Sequence, residues 1–89
     1  MQIKWAEDAV SDLVEIRYYI AQDNPRAASD VAIQIKKSVV LLGEQPGMGR
    51  PGRVEGTREL VLSGLPYIIP YRVKNNVVQI LRVFHGARK

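Results

Sequence analysis

Tyr67-Ile68-Ile69-Pro70-Tyr71-Arg72-Val73, then Lys74-Asn75-Asn76, then Val77-Val78-Gln79-Ile80-Leu81-Arg82-Val83-Phe84 is the stretch that decides the fold. Both long runs are rich in the β-branched and aromatic residues that suit a pleated, half-buried surface. Between them stand two asparagines, which tolerate the positive φ that a tight hairpin turn demands. The reading is a β-hairpin. Its second strand is almost continuously apolar, with Val78, Ile80, Arg82 and Phe84 on one face and Val77, Gln79, Leu81 and Val83 on the other. Such a strand belongs in the middle of a sheet with helices over at least one side. Pro70 is the irregularity: without an N–H it marks a bulge, an edge, or a position whose nitrogen faces away from a partner strand.

Upstream of the hairpin, Thr57 to Leu62 reads as another strand, joined through the turn Ser63-Gly64-Leu65-Pro66. Residues 44–56 hold Pro46, Pro51 and four glycines (Gly47, Gly49, Gly52, Gly56), so they read as a loop that carries Arg50 and Arg53. Before it come two helices. In the first, from Ala6 to about Gln22, Ala9, Leu13, Ile16 and Ile20 recur at helical spacing, and Glu7 and Asp8 suit the positive end of its dipole. In the second, Asn24 is an N-cap and Pro25 gives up an amide that has no helical partner in any case. Ala28, Val31, Ala32, Ile35, Val39 and Leu42 form its apolar stripe, and Gly43 stands where a left-handed C-cap belongs. Gln2 to Trp5 alternates as a short first strand. The order is β-α-α-β-β-β: an α+β domain with a helical hairpin packed on a mostly antiparallel four-stranded sheet.

Eighty-nine residues make one domain, 1–89, since a chain this short buries only about 60–65% of its unfolded surface. At 46% hydrophobic and 25% charged residues the composition is that of a folded globular chain, so disorder is excluded. The absence of cysteine removes disulfides, thiolate nucleophiles and thiolate metal sites, and suits a reducing cytoplasm. The N-terminus reaches Lys4 and Glu7 too soon for an export signal, and the apolar runs are far shorter than the roughly 18 residues of a membrane span. Charge is divided unevenly. Residues 1–44 hold five Lys/Arg against seven Asp/Glu, whereas residues 45–89 hold eight against two, and six of those eight are arginine. A planar guanidinium fork favours phosphate or carboxylate recognition, so Arg50, Arg53, Arg58, Arg72 and Arg88 are candidate contacts to a nucleic acid or another target.

The single histidine and the dispersed carboxylates argue against a metal site. The glycine-rich stretch follows a helix and precedes a strand, the reverse of a nucleotide-binding loop, so no cofactor is expected. Ser63 and His85 have no spacing that supports a nucleophilic triad. Metal-independent phosphodiester cleavage remains: it needs a general acid or base, for which His85 is suited, and cations, for which Arg82, Arg72, Arg58 and Arg88 are available. In a regular strand, however, Arg82 and His85 are three apart and face opposite sides, and share a site only if the chain bends near Phe84 to Gly86. Trp5, Tyr18, Tyr19, Tyr67, Tyr71 and Phe84 suit helix–sheet packing, with Tyr67 or Tyr71 beside Arg72 as a surface for base stacking.

Five segments stand out together: Trp5-Ala6-Glu7, Gln45-Pro46-Gly47-Met48-Gly49-Arg50-Pro51, Gly56-Thr57-Arg58-Glu59-Leu60, Tyr67 to Val73, and the ending Ile80-Leu81-Arg82-Val83-Phe84-His85-Gly86-Ala87-Arg88. On these segments the whole chain resembles the RelE/ParE superfamily of toxins. It implies a growth-inhibiting toxin of a type II toxin–antitoxin module, of the plasmid-stabilisation kind, bound in a hetero-oligomer by a cognate antitoxin. Two activities occur in the superfamily. RelE-type members act with the ribosome as endonucleases on mRNA, and this implies a catalytic pair of His85 and Arg82; ParE-type members poison DNA gyrase and need no hydrolytic site. Where ribonuclease members place an arginine just after Tyr67, this chain has Ile68, which cannot stabilise a phosphorane. Arg72, on the same strand face, is the one available substitute. The expectation therefore leans to gyrase, with the ribosome and mRNA as the alternative target.

Overall fold

A computed structural model describes residues 1–86. Strand β1 (Gln2–Trp5) leads into helices α1 (Glu7–Ala21) and α2 (Pro25–Glu44), and a single 3₁₀ turn (Pro46–Met48) follows. The rest is sheet: β2 (Arg50–Pro51), β3 (Arg58–Val61), β4 (Tyr67–Lys74), β5 (Val77–Ile80) and β6 (Phe84–His85). The strand order is β1-β5-β4-β3-β2, with β6 also on β4. All pairs are antiparallel except β1 with β5. The expected α+β class and helical hairpin are present. The sheet has six strands rather than four, because the glycine-rich loop contributes β2 and the last strand is divided in two.

The two helices form where the sequence signals them. The Asn24 side chain accepts from the Ala27 amide at 3.1 Å, with Pro25 in the first turn. Ala9 and Leu13 of α1, and Ala28, Ala32, Ile35, Val39 and Leu42 of α2, are buried. All of these but Ala28 meet one face of the sheet, formed by Leu60, Leu62, Tyr67, Ile69, Tyr71, Val78, Ile80 and Val83. Tyr67 and Tyr71 are therefore core residues and offer no stacking surface. The Asn75–Asn76 turn adopts φ of 52° and 64°, the left-handed pair of a tight hairpin.

Gly43 departs from expectation. It is not a left-handed cap but lies within α2, which runs to Glu44 and is closed by the Gln45 amide on the Leu41 carbonyl. Its lack of a side chain serves packing: a Cβ there would stand 2.8 Å from the Met1 carbonyl, and the Met1 amino group donates to the Gly43 carbonyl at 3.0 Å. The glycine lets β1 lie against the helix end.

The last strand breaks opposite Pro70. Tyr71 pairs with Ile80, and Ile68 pairs with Phe84, so Ile69 and Pro70 face Leu81, Arg82 and Val83. One extra residue is accommodated as a bulge. Pro70 has no N–H to give, though its carbonyl still accepts from the Leu81 amide at 2.9 Å. The bulge resets the alternation. Val83, not Arg82, continues the buried face of Val78 and Ile80, and Leu81 and Arg82 both go to the other side.

Candidate functional site on the open face of the sheet

The helices cover one face of the sheet and leave the other uncovered, which makes the residues at alternate positions of β3, β4 and β6 available to a partner. Ile68 and Pro70 of β4, Leu81 of the bulge and Phe84 of β6 form an apolar floor. Arg50, Arg53, Thr57, Glu59 and Arg82 stand around it, enclosing an open cavity of about 700 Å³. Three cations over an apolar floor suit a large partner with anionic groups beside apolar or planar ones.

Each cation is positioned differently. Arg50, on β2, pairs in register with Glu59 on β3 and donates to its carboxylate from Nη2 at 3.0 Å and Nε at 3.2 Å. The backbone that presents it is fixed by Tyr71. That phenol, fully buried, accepts from the Gly49 amide at 2.8 Å and donates to the Pro46 carbonyl at 2.7 Å. Arg53 follows in the exposed turn between β2 and β3.

Arg82 sits on the bulge and is held from the helix layer. Asp12 of α1 accepts from Arg82 Nε at 2.8 Å (Oδ2) and from Nη2 at 3.0 Å (Oδ1), and its Oδ2 also takes the Val83 amide at 2.9 Å. The guanidinium lies 5.0 Å from the centre of the Phe84 ring. Partial burial pushes the Asp12 carboxyl upward, but the hydrogen bonds from Arg82 and Val83 and the charge of Arg82 outweigh it, so Asp12 is held below the usual carboxylate range. The hydrogen bond to Asp12 in turn raises Arg82 above its ordinary value.

The other candidates are placed elsewhere. His85 pairs in register with Tyr67 and meets its ring edge-on, 5.7 Å between centroids. Alternation along β6 thus turns it to the face opposite Phe84. The bend falls at residues 81–83, before β6 and not after it, and it does not bring His85 to the cavity. Arg58 also lies on the helix side, opposite Tyr71, and donates to the Gly49 carbonyl at 2.8 Å. It therefore braces the loop and is not on the cavity rim. Arg72 shares the open face with Ile68 as expected, but lies beyond the cavity and donates to Gln79 at 2.6 Å. Arg88 lies outside the described residues. Asp12 was missed by sequence reasoning, since it looks like any acidic residue on a solvated helix face. Among the described residues no three His, Asp, Glu or Cys side chains gather to hold a metal ion. Nor is any helix there long and apolar enough to cross a membrane.

Comparison with known proteins agrees with this architecture. The family described as "ParE toxin of type II toxin-antitoxin system, parDE" matches over residues 3–89. Y4kP of Sinorhizobium fredii (strain NBRC 101917 / NGR234) is 49% identical over 88 residues, covering 99% of this chain and 91% of that one. Toxin RelE2 of Caulobacter vibrioides is 40% identical over 87 residues, covering 98% and 97%. Among solved structures, a chain of the chromosomal ParDE toxin–antitoxin system of P. aeruginosa superposes with a TM-score of 0.85 at 35% identity, covering 96% of this chain and 95% of that one.

Proposed function

Because the chain belongs to the ParE toxin family of type II toxin–antitoxin systems, we propose that it arrests bacterial growth by binding DNA gyrase through the open face of its sheet, without hydrolysis of its own. One observation carries the choice of mechanism: the arginine-rimmed cavity has no free group for proton transfer among the described residues. Its one carboxylate, Glu59, is engaged by Arg50. The imidazole of His85 is on the other face, against Tyr67. General acid–base cleavage needs a proton carrier within hydrogen-bond reach of the reacting oxygen. Apolar floor and arginine rim together favour a protein or protein–DNA surface, with Ile68, Pro70, Leu81 and Phe84 as the dry centre and Arg50, Arg53 and Arg82 as the charged margin.

In this reading the chain acts as one domain, 1–89, in the cytoplasm, and a cognate antitoxin neutralises it in a hetero-oligomer. The likeness to a chain of the ParDE system supports that partnership. The alternative is a ribosome-dependent mRNA endonuclease. It is favoured by the 40% identity to a toxin named RelE2, and would draw on His85 and Arg82. Purified gyrase and plasmid DNA discriminate the two. Gyrase inhibition should yield cleaved or relaxed DNA with wild-type toxin and equally with His85→Ala. Ribosome-dependent cleavage of mRNA that disappears in His85→Ala, with gyrase unaffected, would replace this function with the ribonuclease.

A further inference from the structure

Arg82 is the cavity cation with the most elaborate support, and that support comes from an element with no other part in the site. Two of its nitrogens, Nε and Nη2, are occupied by one carboxylate from α1, 70 residues away in sequence. The Phe84 ring lies 5.0 Å from the guanidinium carbon. A free arginine side chain samples many rotamers, and fixing it for a partner costs affinity at the moment of binding. Here two hydrogen bonds to Asp12 hold the side chain before any partner arrives. The pairing through Nε and Nη2 still leaves the Nη1–Nη2 end of the guanidinium with donors to offer, and Arg82 retains 44% side-chain exposure. The same carboxylate takes the Val83 amide, which β1 cannot reach because its pairing with β5 ends at Ile80. Asp12 thus fixes both the bulge backbone and the side chain that the bulge turns to the open face.

We propose that Asp12 is a positioning residue: through Arg82 it presets the cavity for its target, and it makes no target contact itself. This rests on the reading that the open face is the target-binding site, but not on which target is bound. Growth arrest is therefore the readout, since it registers either target, while the gyrase reading stands or falls separately on the purified-enzyme assay.

The experiment compares Asp12→Asn, Arg82→Lys and the double variant in the full chain. Asparagine still offers an oxygen to the Val83 amide, so the bulge has its acceptor, while the charged pairing with Arg82 is gone. In an NMR spectrum the Arg82 Nε–H resonance should be sharp in the wild type and should broaden or vanish in Asp12→Asn. Toxin dose needed for growth arrest should rise about tenfold, as expected for losing one preset charge-assisted contact. Arg82→Lys should cost at least as much, because an ammonium cannot form the two-point pairing. The double variant should be no weaker than Arg82→Lys alone, as two residues acting through one contact are not additive. A purely structural Asp12 gives the opposite pattern: losses that track the thermal midpoint and add in the double variant. That result would overturn the proposal. So would an unchanged arrest dose in Asp12→Asn despite loss of the Nε–H signal.

Discussion

Tyr71→Phe removes one oxygen atom and tests how the cavity rim is built. The phenol is fully buried and joins two points of the loop before β2, accepting from the Gly49 amide and donating to the Pro46 carbonyl. Without it the Gly49 amide is left in a buried setting with its partner gone, at a cost of about 1–3 kcal/mol. The Pro46 carbonyl is less enclosed and loses about 0.5–1 kcal/mol, because water can replace part of the bond. The sum is about 1.5–4 kcal/mol, which for a domain of this size lowers the thermal midpoint by roughly 6–30 °C. Urea unfolding followed by circular dichroism measures it directly, as a lower midpoint with an unchanged slope. A loss below about 0.5 kcal/mol would show that the loop is held by other contacts, and that Tyr71 does not set the position of Arg50.

Gly49→Ala should be destabilising by about 1–3 kcal/mol, since a Cβ there would stand 2.6 Å from the Tyr71 hydroxyl and 2.8 Å from the Glu59 carbonyl. In a Tyr71→Phe background the same change should cost less, and thermal melts of the four proteins read that coupling. Acid should weaken the fold through Asp12. Its folded value is depressed below the unfolded one of about 3.9, so its contribution is complete above that pH and is lost as pH falls through the folded value. Urea midpoints between pH 6 and pH 2.5 should therefore decline less steeply in Asp12→Asn than in the wild type. Asn76→Ala should lose about 1 kcal/mol, because alanine at φ 64° has no local hydrogen bond to offset the left-handed strain, and chemical denaturation gives the value.

Local signals carried most of the architecture. The helical stripes, the Asn24 cap and the Asn75–Asn76 turn each depend on residues a few positions apart, and each appears where its pattern places it. Errors arose where a distant residue decides. Pro70 was visible as a place where a ladder bond must fail. The effect falls on the opposite strand, however, where Leu81, Arg82 and Val83 occupy the space of two residues and reverse the alternation after Ile80. That reversal separates Arg82 from the buried face. Gly43 looked like a cap because glycine favours left-handed backbone, yet β1 needed the space of its missing side chain. Arg58 and Arg72 were indistinguishable from Arg50 and Arg53 as charges. Strand parity alone sends Arg58 to the helix side, and that parity depends on the register of β3 against β4. Asp12 had no signal at all, since its partners Arg82 and Val83 become neighbours only when α1 lies beside the bulge.

The proposed mechanism depends on a cavity that binds and does not cleave. The direct test is a pulse-labelling time course after induced expression, following DNA and protein synthesis in one bacterial culture. DNA synthesis should stop first, with filamentation, while translation continues, and His85→Ala should leave that order unchanged. Translation stopping within minutes while replication proceeds would contradict the account and make the chain a ribosome-dependent ribonuclease.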